Sequence, residues 1–497
     1  GGGAGRHRRY DAPVPIAPAS QLSATAVRLS RLLADVEVVD RRGDPAGVDV
    51  SSVAHDTRKM LPGALFCCLP GRAADGHDHA EAAVAAGAVA LVVERVLDVD
   101  PAVVQVRVPE ARPAMAHIAA SLHGHPSRAL RVVGVTGTNG KTTTTHLLSS
   151  VLEAHGWPTT VIGTLSGRHT TPESPELQRR LAEARDAGRV AVAMEASSHA
   201  LAQHRCDAVW FAAAVFTNLS QDHLDYHLDM DSYFAAKASL FRPDRTALGV
   251  VNADDAWGRR LLDAAPVPMV AWSLDDAEGL RTTTAGCAFV WRGHAVELGL
   301  GGRFNAANAV AAATTAAALG VPVATVAAGL SSAPPVPGRF QRVEAGQPFT
   351  VVIDYAHTPD ALTQVLDEAR RLAGDGRVLV VFGCGGDRDP DKRPVMGSTA
   401  AALADVAVLT TDNPRHEDPA SIIDQVRAGA QGAANLVVEP DRRSAMALAL
   451  QKARAGDVVV VAGKGHERGQ VFADRTEPFD DVEVAFALLS SLEGGGG

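Results

Sequence analysis

A glycine-rich turn holds the first residues of this chain that could do chemistry. The segment Gly137-Thr138-Asn139-Gly140-Lys141-Thr142-Thr143 places two glycines and a lysine before two hydroxyl side chains. Glycines let backbone N–H groups wrap an anion, the lysine neutralises phosphate charge, and the first hydroxyl is placed for Mg²⁺. Val135 stands where the common phosphate-loop pattern has glycine, so this is a variant loop. The segment predicts a nucleoside triphosphate site.

Two later segments carry side chains that could bind a metal ion. Glu195 lies in residues 194–199 and His223 in residues 217–225, and each segment follows an apolar run. A carboxylate supplies the oxygen that Mg²⁺ prefers, and an imidazole suits a second, more tolerant metal position. Lys237 lies on a predicted helix with apolar neighbours. The residues alone leave open whether it is an exposed helical lysine or an active-site cation or modified lysine.

The apolar runs predict the strands that position these segments. Each run before residue 330 is followed by polar residues and then by helical periodicity, and this βα alternation indicates a parallel sheet. Strands are predicted at residues 131–136, 159–162, 190–194 and 213–217.

A second run of strands follows the proline-rich linker Ala333–Gly338. Four of its five strands end in loops rich in Gly, Asp, Arg or His. Ligands bind at the carboxyl ends of strands in open α/β sheets, so these loops should converge on one crevice. The strands are predicted at residues 350–354, 378–382, 406–410, 436–439 and 458–462.

Composition limits the class of protein. A chain of 497 residues predicts about three domains, and 46% hydrophobic with 21% charged residues is typical of a soluble globular protein. The formal net charge of -10 argues against a protein that holds nucleic acid through phosphate contacts. No apolar stretch approaches the ~20 residues of a membrane span. The five cysteines lack paired spacing and indicate reduced thiols, so we expect a cytoplasmic protein.

The motifs, taken in order, resemble those of the Mur ligases. They include GTNGKTT, MEASSHALAQHR, TNLSQDHLDYH, YFAAKASLF, DYAHTPDAL, FGCGGDRD, KRPVMG, DNPR and GKGHE, and the resemblance runs from about Leu22 to Leu492. It implies an α/β protein of three domains after a disordered tail at residues 1–21. These are a small N-terminal α/β UDP-binding domain (22–110), a central P-loop-type ATPase domain with a parallel-rich sheet (111–337) and a C-terminal Rossmann-like amino-acid-binding domain (338–497).

The resemblance also implies an activity in the synthesis of peptidoglycan precursors. The branch of the family that this sequence resembles most adds meso-diaminopimelate to the D-Glu carboxylate of UDP-MurNAc-L-Ala-D-Glu. The reaction passes through an acyl phosphate made with ATP. The implied cofactors are ATP, Mg²⁺ at two sites and a CO₂-derived carbamate on Lys237. The implied partners are the two substrates, without nucleic acid or a membrane span, and a monomer is expected.

Site residues carry over where this chain matches the family motifs. The residues expected at the catalytic centre are Lys141, Glu195, His223 and Lys237. The expected metal ligands are Thr142, Glu195, His223 and Lys237. The other ATP-site positions are Gly137, Thr138, Asn139, Gly140, Thr143, Asn308, Arg339 and Asp354. The positions for the UDP-MurNAc-dipeptide are Thr57, Asp75, Thr170, Thr171, Ser197, Gln203 and Arg205. The positions for diaminopimelate are Arg388, Asp412, Asn413, Pro414, Arg415, Gly463 and Glu467.

The choice of amino acid depends on its far end, where diaminopimelate carries an ammonium and a carboxylate and lysine carries an ammonium alone. Arg415 can bind a carboxylate with two parallel hydrogen bonds, and Arg388 follows another strand. Asp412 and Glu467 can take the ammonium.

Three alternatives stay open at this point: a lysine-adding homologue, a folylpolyglutamate-type ligase, and an ATP-binding regulator without turnover. Two departures from the family pattern are a shortened segment between Thr164 and Thr170 and a threonine at position 57 in place of the usual serine. Neither departure removes a catalytic group.

Overall fold

The computed structural model describes residues 26–71, 74–167 and 169–494, with side chains as far as residue 492. The chain forms two compact units, one ending at Leu122 and the other beginning at His123. The predicted tail at residues 1–21 lies outside the described residues. None of the described helices is long and apolar enough to cross a membrane.

The first unit contains, within its described residues, a five-stranded sheet in the order β2-β7-β6-β5-β4. The strands β4 to β7 are parallel and β2 is antiparallel to β7. Helix α3 packs Met115 and Ile118 into one core cluster with Leu65 and Val92, which the sheet supplies. The elements are β1 (Val27–Arg28), α1 (Leu29–Leu32), β2 (Asp40–Arg42), β3 (Asp49–Val50), β4 (Ser52–Ala54), β5 (Ala64–Cys67), α2 (Ala80–Ala85), β6 (Ala90–Val93), β7 (Val104–Arg107) and α3 (Ala111–Leu122).

The predicted boundary between the first two domains, after residue 110, falls at the start of helix α3. That helix lies with the first unit. The exact domain limits therefore remain predictions.

The second unit begins with a parallel sheet in the order β13-β12-β11-β8-β10-β9. Strand β8 consists mostly of β-branched residues and is buried on both faces, as expected for a central parallel strand. Helix α4 follows it at the glycine turn and packs on α10 and α11. The elements are β8 (Arg131–Thr136), α4 (Lys141–Ala154), β9 (Thr159–Ile162), α5 (Ser174–Asp186), β10 (Ala191–Glu195), α6 (Ser198–Ala202), β11 (Ala213–Phe216), α7 (Leu224–His227), α8 (Met230–Ala238), β12 (Gly249–Asn252), α9 (Ala256–Ala264) and β13 (Met269–Trp272).

A small antiparallel sheet follows, for which no strands were predicted from the sequence. Its strands β14, β15 and β16 form consecutive hairpins and bury Phe289, Trp291 and Val296 in the same core as α4 and α10. The elements are β14 (Glu278–Thr282), β15 (Cys287–Trp291), β16 (His294–Leu298), α10 (Arg303–Ala318) and α11 (Val323–Ser331).

The second unit ends with another mostly parallel sheet, in the order β17-β18-β22-β19-β20-β21, in which only β17 is antiparallel among the described strands. The three large sheets, one in the first unit and two in the second, are mostly parallel, and the predicted class of an α/β protein with three parallel-rich domains is confirmed. The elements are β17 (Gln341–Val343), β18 (Thr350–Asp354), α12 (Pro359–Ala373), β19 (Val378–Phe382), α13 (Lys392–Leu403), β20 (Val406–Leu409), α14 (Pro419–Ala428), β21 (Leu436–Val438), α15 (Arg442–Lys452), β22 (Val458–Ala462), β23 (Gly469–Val471), β24 (Thr476–Pro478) and α16 (Asp481–Gly494).

Candidate active site

The second unit contains a cavity of about 940 Å³ lined from the carboxyl ends of strands in both of its large sheets. Most of the residues predicted from sequence line it. They are Thr138, Asn139, Gly140, Lys141, Thr142, Thr143, Thr170, Thr171, Glu195, Ser197, Arg205, His223, Asn308, Arg339, Asp354, Arg388, Asp412, Asn413, Arg415, Gly463 and Glu467.

The glycine turn between β8 and α4 forms one wall of the cavity. Gly137 and Gly140 have φ angles of 148° and 86°, which favour glycine. Any side chain there would also collide, since a Cβ would lie 1.9 Å from Thr217 Oγ1 and 2.3 Å from Asn308 Oδ1, respectively. Lys141 Nζ donates to the carbonyls of Gly137 and Thr138, both at 2.9 Å. The turn thus has the backbone form and the cation that an anionic phosphate needs.

Glu195 and Thr142 lie side by side at the base of this turn. Glu195 is 1% exposed, and its carboxylate accepts hydrogen bonds from Thr142 Oγ1 at 3.0 Å and from the Thr164 N–H at 2.8 Å. Arg339, which follows the linker, donates to Thr142 Oγ1 at 3.1 Å. The hydroxyl and the carboxylate are hard oxygen donors, so this pair fits Mg²⁺. The described residues contain no group of three His, Cys, Asp or Glu side chains arranged to hold a metal.

Lys237 lies behind the glycine turn rather than on the cavity surface. It is 1% exposed, so the interpretation as an ordinary exposed helical lysine is wrong. Its Nζ donates to Gly137 O at 2.8 Å, the same oxygen that accepts from Lys141, and lies 4.5 Å from the Tyr233 ring centre. Burial and the nearby Lys141 charge hold the pKa of Lys237 well below its usual value. Its amine is therefore biased toward the neutral, nucleophilic form.

His223 directly precedes the short helix α7 and has a left-handed φ of 57°. Burial lowers its pKa to about 3, although Asp222 opposes that shift. His223 Nε2 lies 3.4 Å from Asp222 Oδ2, and the ring is within 4.7 Å of the His199 ring, centre to centre. A neutral imidazole can ligate a metal.

The residues predicted for the dipeptide substrate form a connected group after strands β9 and β10. Thr171 Oγ1 donates to Glu195 O at 2.8 Å and accepts from the Ser197 N–H at 3.1 Å. Arg205 donates to Thr171 O at 3.0 Å and to Gln203 Oε1 at 2.7 Å. Gln203 does not line the cavity and instead holds Arg205, which does.

Thr57 and Asp75 lie in the first unit, after the adjacent parallel strands β4 and β5. Thr57 begins a short 3₁₀ helix, residues 57–59. The Asp75 carboxylate already accepts hydrogen bonds from His77 at 2.6 Å and Arg95 at 2.8 Å, and it caps residues 76–79. A ligand role for Asp75 would have to share these bonds.

The loops predicted to bind the amino acid, here called the amino-acid loops, follow strands β19, β20 and β22. Arg415 has a φ of 51°, and its Nη1 donates to Gly386 O at 2.6 Å. Neither Arg388 nor Arg415 pairs with a carboxylate among the described residues, so both guanidinium groups remain for an anionic ligand. Pro414 does not line the cavity; its carbonyl packs against Gly386, where a Cβ would come within 1.9 Å.

Sequence reasoning missed several charged residues at this site. Lys464 lies inside the GKGHE segment, between two predicted residues, and is completely buried. Lys392 of the KRPVMG segment lies 3.7 Å from Asp222, the neighbour of His223. Asp360 accepts from Asn139 of the glycine turn at 2.8 Å. Asp360, Lys392 and Lys464 lie in the motifs DYAHTPDAL, KRPVMG and GKGHE, but nothing in the sequence shows that these side chains face inward.

Comparisons with known proteins agree with this geometry. Three family models match: "Mur ligase family, catalytic domain" over residues 49–130, "Mur ligase middle domain" over 135–316, and "Mur ligase, glutamate ligase domain" over 338–465.

Curated relatives match over nearly the whole chain. The UDP-N-acetylmuramoyl-L-alanyl-D-glutamate--2,6-diaminopimelate ligase of Gloeobacter violaceus is 45% identical, over 94% of this chain and 98% of its own. The ligase of the same name from Syntrophomonas wolfei is 40% identical, over 91% and 97%. A solved structure of that name is 32% identical with a TM-score of 0.66, over 94% and 99%. With relatives of this identity and coverage, and all three family models in their expected order, the chain belongs to the Mur ligase family.

Proposed function

We propose that this Mur ligase joins meso-diaminopimelate to the D-Glu carboxylate of UDP-MurNAc-L-Ala-D-Glu, with ATP becoming ADP and phosphate. One observation carries the proposal: a single cavity has the phosphate-binding turn on one side and two arginines without carboxylate partners, Arg388 and Arg415, on the other. The relatives named as 2,6-diaminopimelate ligases support the same substrate.

The proposed reaction has two steps, and its nucleophiles belong to the ligands. The D-Glu carboxylate oxygen bonds to the γ-phosphorus as the bond to the ADP oxygen breaks. The amine nitrogen of diaminopimelate then bonds to the acyl carbon, phosphate leaves, and the amine loses a proton. The protein therefore needs to position the ligands and neutralise charge. Lys141 and Arg339 are placed to do so at the phosphates.

Metal binding in this proposal uses the oxygen and nitrogen donors around the glycine turn. Thr142, Glu195 and His223 would hold Mg²⁺ at two positions, together with Lys237 once CO₂ has converted its amine to a carbamate. When bound there, Mg²⁺ would neutralise the negative charge of the phosphate oxygens. The low pKa of Lys237 supports the carbamate, because only the neutral amine reacts with CO₂.

The remaining assignments follow from the substrates. Thr170, Thr171, Ser197 and Arg205 would hold the dipeptide part, with Gln203 orienting Arg205; Thr57 and Asp75 would contact the UDP part. Because the reaction consumes ATP and a nucleotide-linked precursor, we propose a cytoplasmic enzyme, and we propose that it acts as a monomer.

A substrate-comparison assay tests the proposed function. Purified protein receives ATP, Mg²⁺ and UDP-MurNAc-L-Ala-D-Glu with either meso-diaminopimelate or L-lysine, and phosphate release and product mass are measured. We expect phosphate release that requires diaminopimelate, with a product heavier by one diaminopimelate residue. Lys141→Ala should lose this activity, while Lys452→Ala, which removes an exposed lysine of the same chain, should keep it. Equal or better use of lysine would contradict the proposal.

A further inference from the structure

Lys464 is a completely buried lysine that no substrate role explains. It follows β22 between Gly463 and Gly465, whose φ angles are 111° and 53°. Both glycines are closely packed, since a Cβ would lie 2.5 Å from Asp412 Oδ2 at Gly463 and 2.8 Å from Tyr355 Cβ at Gly465. This tight turn directs the Lys464 side chain into the protein, where its exposure is 0%. Lys464 does not line the cavity.

The ammonium of Lys464 is surrounded by oxygens of the amino-acid loops. Its Nζ donates to Asn413 Oδ1 at 2.9 Å and to Glu467 Oε2 at 3.2 Å, and it lies 3.8 Å from Asp412 Oδ1. Two of these contacts are hydrogen bonds, and the Asp412 carboxylate adds a longer electrostatic attraction to the ammonium. All three partners line the cavity that Lys464 itself does not reach.

The contact with Lys464 fixes the orientation of the Asn413 amide. Asn413 Oδ1 accepts from two groups that can only donate, Lys464 Nζ and the Val471 N–H, both at 2.9 Å. The amide therefore cannot flip without losing both bonds. Its Nδ2 is held on the opposite side, where one N–H donates to Glu467 Oε2 at 2.7 Å. The second N–H remains for a ligand acceptor such as a carboxylate.

Lys464 also sets the charge behind the cavity. Asp412 and Glu467 together carry two negative charges, and the buried ammonium offsets one of them. The remaining charge matches a ligand with one ammonium at this position, while Arg388 and Arg415, which line the same cavity, would be available to its carboxylate. Without Lys464, two uncompensated carboxylates would favour a ligand whose far end carries an ammonium alone.

We infer that Lys464 is a positioning residue for the incoming amino acid, acting through Asn413 and Glu467 to select a far end that carries both an ammonium and a carboxylate. This inference rests on the proposed function and adds a specificity role to a residue that does not touch the substrate.

The test compares Lys464→Met with the wild type and with Lys452→Met, which removes an exposed lysine from the same domain. We expect Lys464→Met to raise the KM for diaminopimelate about tenfold or more, from the loss of charge-assisted hydrogen bonds, while the KM for ATP changes less than about twofold. The preference for diaminopimelate over lysine in kcat/KM should fall. Lys452→Met should behave as the wild type.

A double-mutant cycle with Asn413→Leu distinguishes positioning from a general structural effect. If Lys464 acts in part through Asn413, the double variant should raise the KM by clearly less than the product of the two single effects. Additive effects, an unchanged KM for diaminopimelate, or equal rises in the KM of every substrate would overturn the inference. Lys464→Gln, which keeps a donor without the charge, carries the same test if the methionine variant does not fold. The parallel assay of the wild type tests the proposed function separately. A wild-type protein without activity on diaminopimelate would refute the proposed function and not only the role of Lys464.

Discussion

At the scale of single residues, the most unusual feature is the pair of lysines that share one carbonyl oxygen. Lys141 and Lys237 both donate to Gly137 O, at 2.9 and 2.8 Å. Two ammonium groups at one oxygen repel each other, and Lys237 is the more deeply buried of the two. Burial and Lys141 both lower the pKa of Lys237. A carbamate at this position would replace the repulsion with attraction between opposite charges.

This arrangement predicts the behaviour of Lys237 variants. Lys237→Ala should reduce kcat by about a hundredfold or more, because a ligand-binding carboxylate would be lost from a phosphoryl-transfer site. Added acetate or formate should restore part of the rate by entering the space that the side chain leaves. The measurement is the initial rate of phosphate release as a function of the carboxylate concentration.

Lys237→Arg is the matched control, because it keeps a cation that cannot form the carbamate. It should be inactive and should not respond to acetate. Full activity of Lys237→Ala without added carboxylate would show that no carbamate is needed.

At the scale of secondary-structure elements, the turn that joins α7 to α8 is strained. Leu228 has a φ of 57° and a ψ of -52°, and the Asp229 N–H bonds to His227 O across it, which defines a positive-φ γ-turn. The side chain is 89% exposed, so no packing offsets the strain. Glycine adopts such a conformation at little steric cost. Helix α8, which carries Lys237, starts directly after this turn.

Leu228→Gly should therefore stabilise the protein. We expect the free energy of unfolding to rise by about 0.5–1 kcal/mol, since relief of positive-φ strain outweighs the added entropy of glycine in the unfolded chain. The measurement is the urea midpoint at an unchanged m-value. Leu228→Ala removes the exposed side chain but keeps the Cβ, so its midpoint should stay near that of the wild type. A larger gain for alanine than for glycine would contradict the strain argument.

The elements also show what the sequence could predict. Residues 131–136, 159–162, 350–354, 378–382 and 458–462 are strands with the predicted bounds. Buried parallel strands are short, continuous β-branched runs, so their ends are sharp in the sequence. The antiparallel sheet of residues 278–298 was not predicted. Its first strand, β14, is mostly polar and only partly buried at Leu280 and Thr282, although β15 and β16 do alternate buried with less buried residues.

Site residues could be predicted where a local motif indicates a specific chemistry. They could not be predicted where the role of a residue depends on contacts with residues distant in the sequence. The glycine turn with Lys141 is an example of the first case. Lys464 is an example of the second, because a lysine in a loop is usually solvated, and only the fold reveals three oxygens around it. Asp360 and Asn139 are 221 positions apart, and no local pattern connects them.

At the scale of the whole molecule, the second unit joins its two large sheets through polar contacts at the cavity. Arg339 donates a hydrogen bond to Thr142. Lys392 lies 3.7 Å from Asp222, and the side chains of Lys392 and Asp222 are both buried. Glu368 of α12 accepts from Thr282 of the antiparallel sheet at 2.9 Å. These contacts hold elements of the C-terminal sheet against the elements around the glycine turn.

Asp360 is the most connected of these bridging residues. It lies in the first turn of α12, and its Oδ2 accepts from Asn139 Nδ2 at 2.8 Å, Ser220 Oγ at 3.1 Å and Gln364 Nε2 at 2.9 Å. Two of these donors belong to the loops after β8 and β11, so one carboxylate oxygen connects the C-terminal sheet to both. Removing it should loosen the phosphate turn without affecting either hydrophobic core.

Asp360→Ala should lower kcat/KM for ATP by about tenfold to a hundredfold, since two hydrogen bonds to a charged acceptor are lost between the sheets. The thermal stability of the protein should change little, because the cores of both sheets remain intact. Asp375→Ala removes an exposed carboxylate after the same helix and should leave kcat/KM unchanged. An Asp360→Ala variant with wild-type kcat/KM for ATP would mean that the glycine turn is held by its own sheet alone, and that the contact with α12 contributes nothing to nucleotide binding.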